Sequence, residues 1–212
     1  MYIDDIILNN NLIKGLNKLA LSFSCVEGNL LYKHPLTAID SPLDPDFFEK
    51  RYNLFSLAKG KKSVLEIGFN AGHSAALMLI ASPQAEVVFF DLNFHKYTDP
   101  CFNFLKEKGY SVEIFYGDSR ESLSIYIENN KNKKFDLIHV DGSHELQYAS
   151  VDYLNVKKLC SSETIVVFDD TTPDNHLCTF IKQKCLEGEI EYVNRAELKK
   201  TPLHEIIRFK NV

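Results

Sequence analysis

The chain has 212 residues, 45% of them apolar and 25% charged, as expected for an ordinary globular protein built as one domain of moderate size. Its formal net charge of −5 gives no general attraction to nucleic acid, whose binding leans on basic surface. No apolar run approaches the roughly 18 residues of a membrane span. The acidic start MYIDDIILNNN lacks the basic residues of a signal peptide, so a cytoplasmic protein is expected. The five cysteines include no Cys-x-x-Cys pair, which fits reduced, packed thiols and no structural zinc.

In chain order, Leu12, Ile13, Leu16, Leu19 and Ala20 recur at helical spacing and predict a first amphipathic helix. An irregular stretch over 27–45 carries Pro35, Pro42 and Pro45, and a second helix is expected over about 46–59. Residues 1–60 are therefore expected to form a helical cap, or a lid over a substrate with Tyr32, Lys33 and His34 in it. From residue 61 to 212, short apolar runs alternate with helical ones. Strands are expected at 63–67, 86–91, 111–116, 135–141 and 163–170, with helices between them. A further helix should open at Thr172-Pro173, since Thr caps well and Pro suits a first turn. Two last strands, 190–194 and 204–209, have no crossover helix between them and should pair antiparallel. The expected fold is a doubly wound, Rossmann-like α/β domain with a seven-stranded sheet: five parallel strands plus a C-terminal antiparallel hairpin, helices on both faces.

Ligands of such sheets sit at the carboxyl ends of the strands. Here those ends carry Glu66, Asp91, Asp118 and Asp141, with Asp169-Asp170 on the fifth. One acid at a strand end is ordinary turn chemistry; five in succession point to a site. The turn Gly68-Phe69-Asn70-Ala71-Gly72 after the first strand departs from Gly-x-Gly-x-x-Gly at Asn70, which argues against a dinucleotide pyrophosphate on this loop. Asp91, about 20 residues on, is placed to take two ribose hydroxyls. His73 is expected at the surface without a role, and Phe69 and Phe94 in the core.

With an acid-x-Gly-x-x-x-Gly motif at 66–72, the chain resembles the class I S-adenosylmethionine-dependent methyltransferases. That resemblance implies cofactor contacts from Glu66, Gly68, Asn70, Gly72 and Ser74 toward the methionine end and from Asp91 and Leu92 at the ribose. It also implies contacts from Asp118 and Ser119 at the adenine, and from Asp141. The later stretch, Asp141-Gly-Ser-His144 and then Asp169-Asp170, resembles the divalent-metal-dependent O-methyltransferases of catechols and antibiotic sugars. It implies Mg²⁺ on Asp141, Asp169 and Asp170, with Asp141 and His144 as catalytic residues and His144 as general base, histidine ordinarily titrating near neutrality. The acceptor implied is a small hydroxylated molecule, a sugar or polyol ahead of a catechol, with no nucleic-acid or membrane partner and a homodimer as one option for assembly. The alternatives are a metal-independent methyltransferase of this fold, a non-catalytic S-adenosylmethionine-binding scaffold, and, more remotely, an NAD-dependent oxidoreductase.

Overall fold

A computed structural model describes residues 3–212. Asn10 divides the first helical run: its side chain accepts from the Leu12 amide at 2.9 Å, ending α1 (Ile3–Asn9) and capping α2 (Asn11–Leu21). The α1 helix was not foreseen. A 3₁₀ turn, Pro45–Phe47, then leads into α3 (Phe48–Ala58). The alternating part follows as β1 (Ser63–Ile67), α4 (His73–Ala81), β2 (Glu86–Asp91), α5 (Thr98–Glu107), β3 (Val112–Tyr116), α6 (Ser119–Asn129) and β4 (Leu137–Val140). It continues with α7 (Leu146–Lys158), β5 (Ile165–Asp169), α8 (His176–Leu186), β6 (Ile190–Tyr192) and β7 (His204–Phe209).

The strands form one sheet in the order β3-β2-β1-β4-β5-β7-β6. Strands β1 to β5 run parallel, and β7 pairs antiparallel with both β5 and β6, the expected arrangement. Strand alternation assigns each side chain to a layer. Val64, Val87, Phe89, Leu137 and Val167 join one core with residues of α1 to α5. Leu65, Ile67, Val88, Phe90, Ile138, Val166 and Phe168 join the other, under α6, α7 and α8. The first 60 residues thus share a core with one face of the sheet.

The same alternation carries three polar residues into the α3–α4 layer. Glu66 and His139 face each other in register on β1 and β4, and Asp169 follows Val167 on β5. All three are buried. The chain then leaves β5 by an irregular route. Asp170 has φ +50°, a left-handed conformation unusual for a side-chain-bearing residue, and its carbonyl accepts from the Asn175 side-chain amide. Residues 170–175 are consequently a turn, and α8 is capped by Asn175, whose Oδ1 accepts from the Cys178 amide at 2.7 Å. The helix begins there and not at Thr172-Pro173. Among the described residues no helix is long and apolar enough to cross a membrane.

Candidate active site

The strand order reverses between β2 and β4 on either side of β1, and the crevice opens at their carboxyl ends. A cavity of about 500 Å³ lies there, floored by Gly68, Asp91, Asp118, Ser119 and Asp141, with Tyr148 as one wall. Leu92, 67% exposed, and Phe94, 85% exposed, form its rim, so Phe94 is not a core residue. Asp91 shapes the floor: its carboxylate accepts from the Asn70 amide at 2.8 Å and the Asn93 amide at 2.7 Å, tying the β1 turn to the β2 turn. Asp118 caps α6 through the Arg120 amide and pairs with the Arg120 guanidinium, which lies over the Tyr148 ring.

Three expected cofactor residues sit differently. Glu66 lies beneath the cavity, fully buried, its Oε1 2.8 Å from His139 Nδ1 and its Oε2 without a partner. Asn70 lines the cavity, but its side-chain amide nitrogen donates to the carbonyls of Glu27 and Gly28, fastening the N-terminal segment to the turn. Gly72 starts α4, where a Cβ would meet the Phe69 ring at 2.7 Å. Ser74 lines a water-sized recess with Gly68 and Asp141.

A second cavity, about 180 Å³, adjoins the first and shares Gly68, Asn70 and Asp141 with it. Its other walls include His34, Lys50, His144, Asp169 and Asp170. Of the three lid candidates only His34 reaches it, because Tyr32 turns inward and Lys33 outward. His144 Nε2 lies 3.3 Å from Asp170 Oδ2. Asp141 with His139 and Asp169, and again with His144 and Asp170, brings ligand atoms within 4.8 Å of one another, a spacing that would suit a cation. A cation of the chain's own is already there. Lys50 Nζ lies 2.8 Å from Asp169 Oδ2 and 2.8 Å from Asp170 Oδ1. Neighbouring strand residues point to opposite faces; the left-handed turn at Asp170 is what swings both carboxylates onto one ammonium.

Residues 65–171, just over half the chain, match the family model described as a methyltransferase domain. The chain belongs to this methyltransferase family. No curated protein sequence matches it. Among solved structures, it is similar to an O-methyltransferase from Bacillus cereus in complex with SAH, with 17% identity and a TM-score of 0.69 over 99% of this chain and 96% of that one. The O-methyltransferase TomG of Streptomyces achromogenes, involved in tomaymycin synthesis, shares 16% identity at a TM-score of 0.64, covering 99% and 95%. CalS11, a TDP-rhamnose 3′-O-methyltransferase of calicheamicin biosynthesis, shares 16% at 0.55, covering 75% and 76%. These likenesses establish a common fold.

Electrostatically, the polar residues around the second cavity form a largely buried charged row. Burial alone would push the His139 imidazole down, but the Glu66 hydrogen bond and charge, with Asp141 and Asp169 behind it, raise it to about 9. Burial also opposes the Lys50 charge, and Asp169, Asp170 and Asp141 overcome it, holding the ammonium protonated beyond the ordinary lysine range. Asp169 is lowered despite its burial by Lys50 and His139. Asp141, half-buried on the cavity floor, is raised by desolvation and by the charge of Asp169.

His73 is not at the surface. It is buried at the head of α4, edge-on to Tyr32, with Nε2 2.8 Å from Asn17 Oδ1. Asn17 in turn donates to the Tyr32 hydroxyl at 2.9 Å, so the three join α2, the N-terminal segment and α4. Burial lowers His73 to about 4, and His204, next to Asp169 in the sheet, also to about 4. A histidine depressed on folding takes up its proton first in the unfolded chain, so stability should fall as pH drops from about 6.5 toward 4. Asp152, pushed up to about 6 by burial, works the other way, as do Asp141, Glu66 and Glu205, whose carboxyls burial also raises. Melting temperatures measured across that range therefore test the histidine by difference: His73→Gln, which keeps a donor for Asn17, should lose less stability on acidification than the wild type. An unchanged slope in a folded variant would remove His73 from this titration.

Proposed function

We propose that this methyltransferase transfers a methyl group from S-adenosylmethionine to a hydroxyl of a small molecule. The observation that carries the reading is the pair of adjoining cavities. One is a cleft of nucleoside size at the strand ends, and the other is a polar chamber holding a histidine–carboxylate couple, joined to the cleft at Gly68, Asn70 and Asp141. The ribose is assigned to Asp91 and Leu92, the adenine to Asp118 and Ser119, and the methionine end to Gly68, Asn70, Ser74 and Asp141. The acceptor hydroxyl enters the polar chamber beside His144. If His144 Nε2 donates to Asp170, Nδ1 is left as proton acceptor, and the carboxylate steadies the ring as it becomes charged. A sugar or polyol acceptor is favoured by the polar lining and by the likeness to the TDP-rhamnose methyltransferase.

Calorimetry tests the cofactor half without a known acceptor. S-adenosylhomocysteine should bind the wild-type protein more tightly than NAD does. Asp91→Ala should weaken it by at least about tenfold, because charge-assisted hydrogen bonds contribute roughly 1.5–3 kcal/mol each. Asp91 also holds the Asn70 and Asn93 amides, so Asp91→Asn, which keeps one acceptor oxygen, should fall between the two. Tighter binding of NAD, or unchanged affinity in a folded Asp91→Ala, would defeat the assignment.

A further inference from the structure

A divalent ion on Asp141, Asp169 and Asp170 does not fit the chain as folded. Mg²⁺ wants octahedral oxygens at about 2.0–2.1 Å and keeps several waters. Two of the three carboxylates are instead turned onto Lys50, which is 5% exposed and comes from the buried face of α3. That helix is fixed independently of the ion pair. Asn53 donates to the Lys199 carbonyl at 2.8 Å and accepts from the Lys199 amide at 2.7 Å, and Arg51 Nε and Nη2 each donate to the Asp4 carboxylate at 2.8 Å. With its helix pinned, Lys50 reaches the carboxylates from within the core and not as a surface side chain that has folded inward.

We infer that Lys50 takes the place of the divalent cation, so that the acceptor oxygen in this site meets an ammonium. The inference rests on the methyl-transfer reading for the acceptor's role, while the position of Lys50 stands without it. An ammonium has three hydrogens. Asp169 and Asp170 take two, and the third is available to the chamber that Lys50 lines. An ion can chelate two adjacent substrate oxygens, whereas a single N–H meets one. The acceptor that follows need offer this site only one hydroxyl oxygen, so that neither a catechol nor a vicinal diol is required for binding, and a sugar or polyol would be held through a single hydroxyl. In the step, a lone pair of the acceptor oxygen forms the C–O bond to the sulfonium methyl. The C–S bond breaks with its electron pair going to sulfur, leaving a thioether, and the hydroxyl proton passes to His144. Lys50 keeps its protons and stabilises the oxygen as negative charge develops on it.

The test is Mn²⁺ binding, followed by electron paramagnetic resonance and by calorimetry, with no acceptor and no turnover needed. Wild-type protein should show no saturable site below about 1 mM, and Lys50→Met, which keeps the length of the side chain and removes its charge, should bind at least about tenfold more tightly. Asp169→Asn added to Lys50→Met should abolish that gain. Stoichiometric micromolar Mn²⁺ binding by the wild type would overturn the inference, as would a folded Lys50→Met that binds no better. If Lys50→Met does not fold, the wild-type titration decides alone: binding refutes, its absence supports. Binding of S-adenosylhomocysteine, measured on the same samples, reports on the methyltransferase reading separately.

Discussion

Replacing Gly68 by alanine should lower the melting temperature by roughly 10 °C or more and abolish binding of S-adenosylhomocysteine. Gly68 has φ +95°, outside the range comfortable for a side-chain-bearing residue. A Cβ there would lie 2.0 Å from the Asp141 carbonyl oxygen and 2.6 Å from its carbon, both backbone atoms that cannot rotate away. The contact sits on the β1–β4 seam, where the Asp141 amide donates to the Ile67 carbonyl at 2.8 Å. Backbone strain of about 1–3 kcal/mol and overpacking of about 1–3 kcal/mol add in the same direction. A domain of this size loses roughly 2–4 °C per kcal/mol. Gly117→Ala is the natural control, having φ +116° but no atom within 4 Å of its Cβ. If Gly68→Ala melts no lower than Gly117→Ala, the close approach to Asp141 does not limit the fold, and the expected loss of cofactor binding goes with it.

That close approach explains why much of the site was legible in the chain. A glycine after a strand-end acid is a local signal, and strands that end in acids carry their meaning within a few residues. The seven-stranded sheet followed from apolar runs and the missing crossover before β7. What escaped was long-range or required knowing which face is buried. Lys50 lies 120 positions from Asp170, and nothing local ties the two. The available hint was its place in α3, where Lys50, Asn53, Leu54 and Leu57 share one face, so a charge stands on the apolar stripe. His73 was misplaced for a related reason: HSAALMLIA is apolar on all sides, the mark of a buried helix, and its leading histidine had to be buried with it. His139, flanked by Ile138 and Val140 in a strand buried on both faces, offered the same clue. Glu66 was taken for a cofactor contact because it ends the strand, but strand alternation sends it into the α3–α4 layer beside His139.

Replacing His144 by alanine should reduce turnover by roughly 10²–10⁴, the usual worth of a positioned base, while leaving S-adenosylhomocysteine affinity close to that of the wild type. The two readouts separate because His144 lines the polar chamber and not the nucleoside cleft. Part of the lost rate should return at alkaline pH, where hydroxide can take the acceptor's proton in place of the missing base, so the variant's rate should climb with pH past the point where the wild type levels off. Asp170→Asn should cost less, since it removes the charge facing His144 Nε2 and one partner of Lys50 but leaves the base itself. Should both variants lose cofactor binding along with turnover, His144 and Asp170 shape the cleft and do no proton transfer. Full turnover by a folded His144→Ala would leave the methyl donor's site intact and send the search for the base to His34, the other histidine lining the chamber beside Asp141 and Lys50.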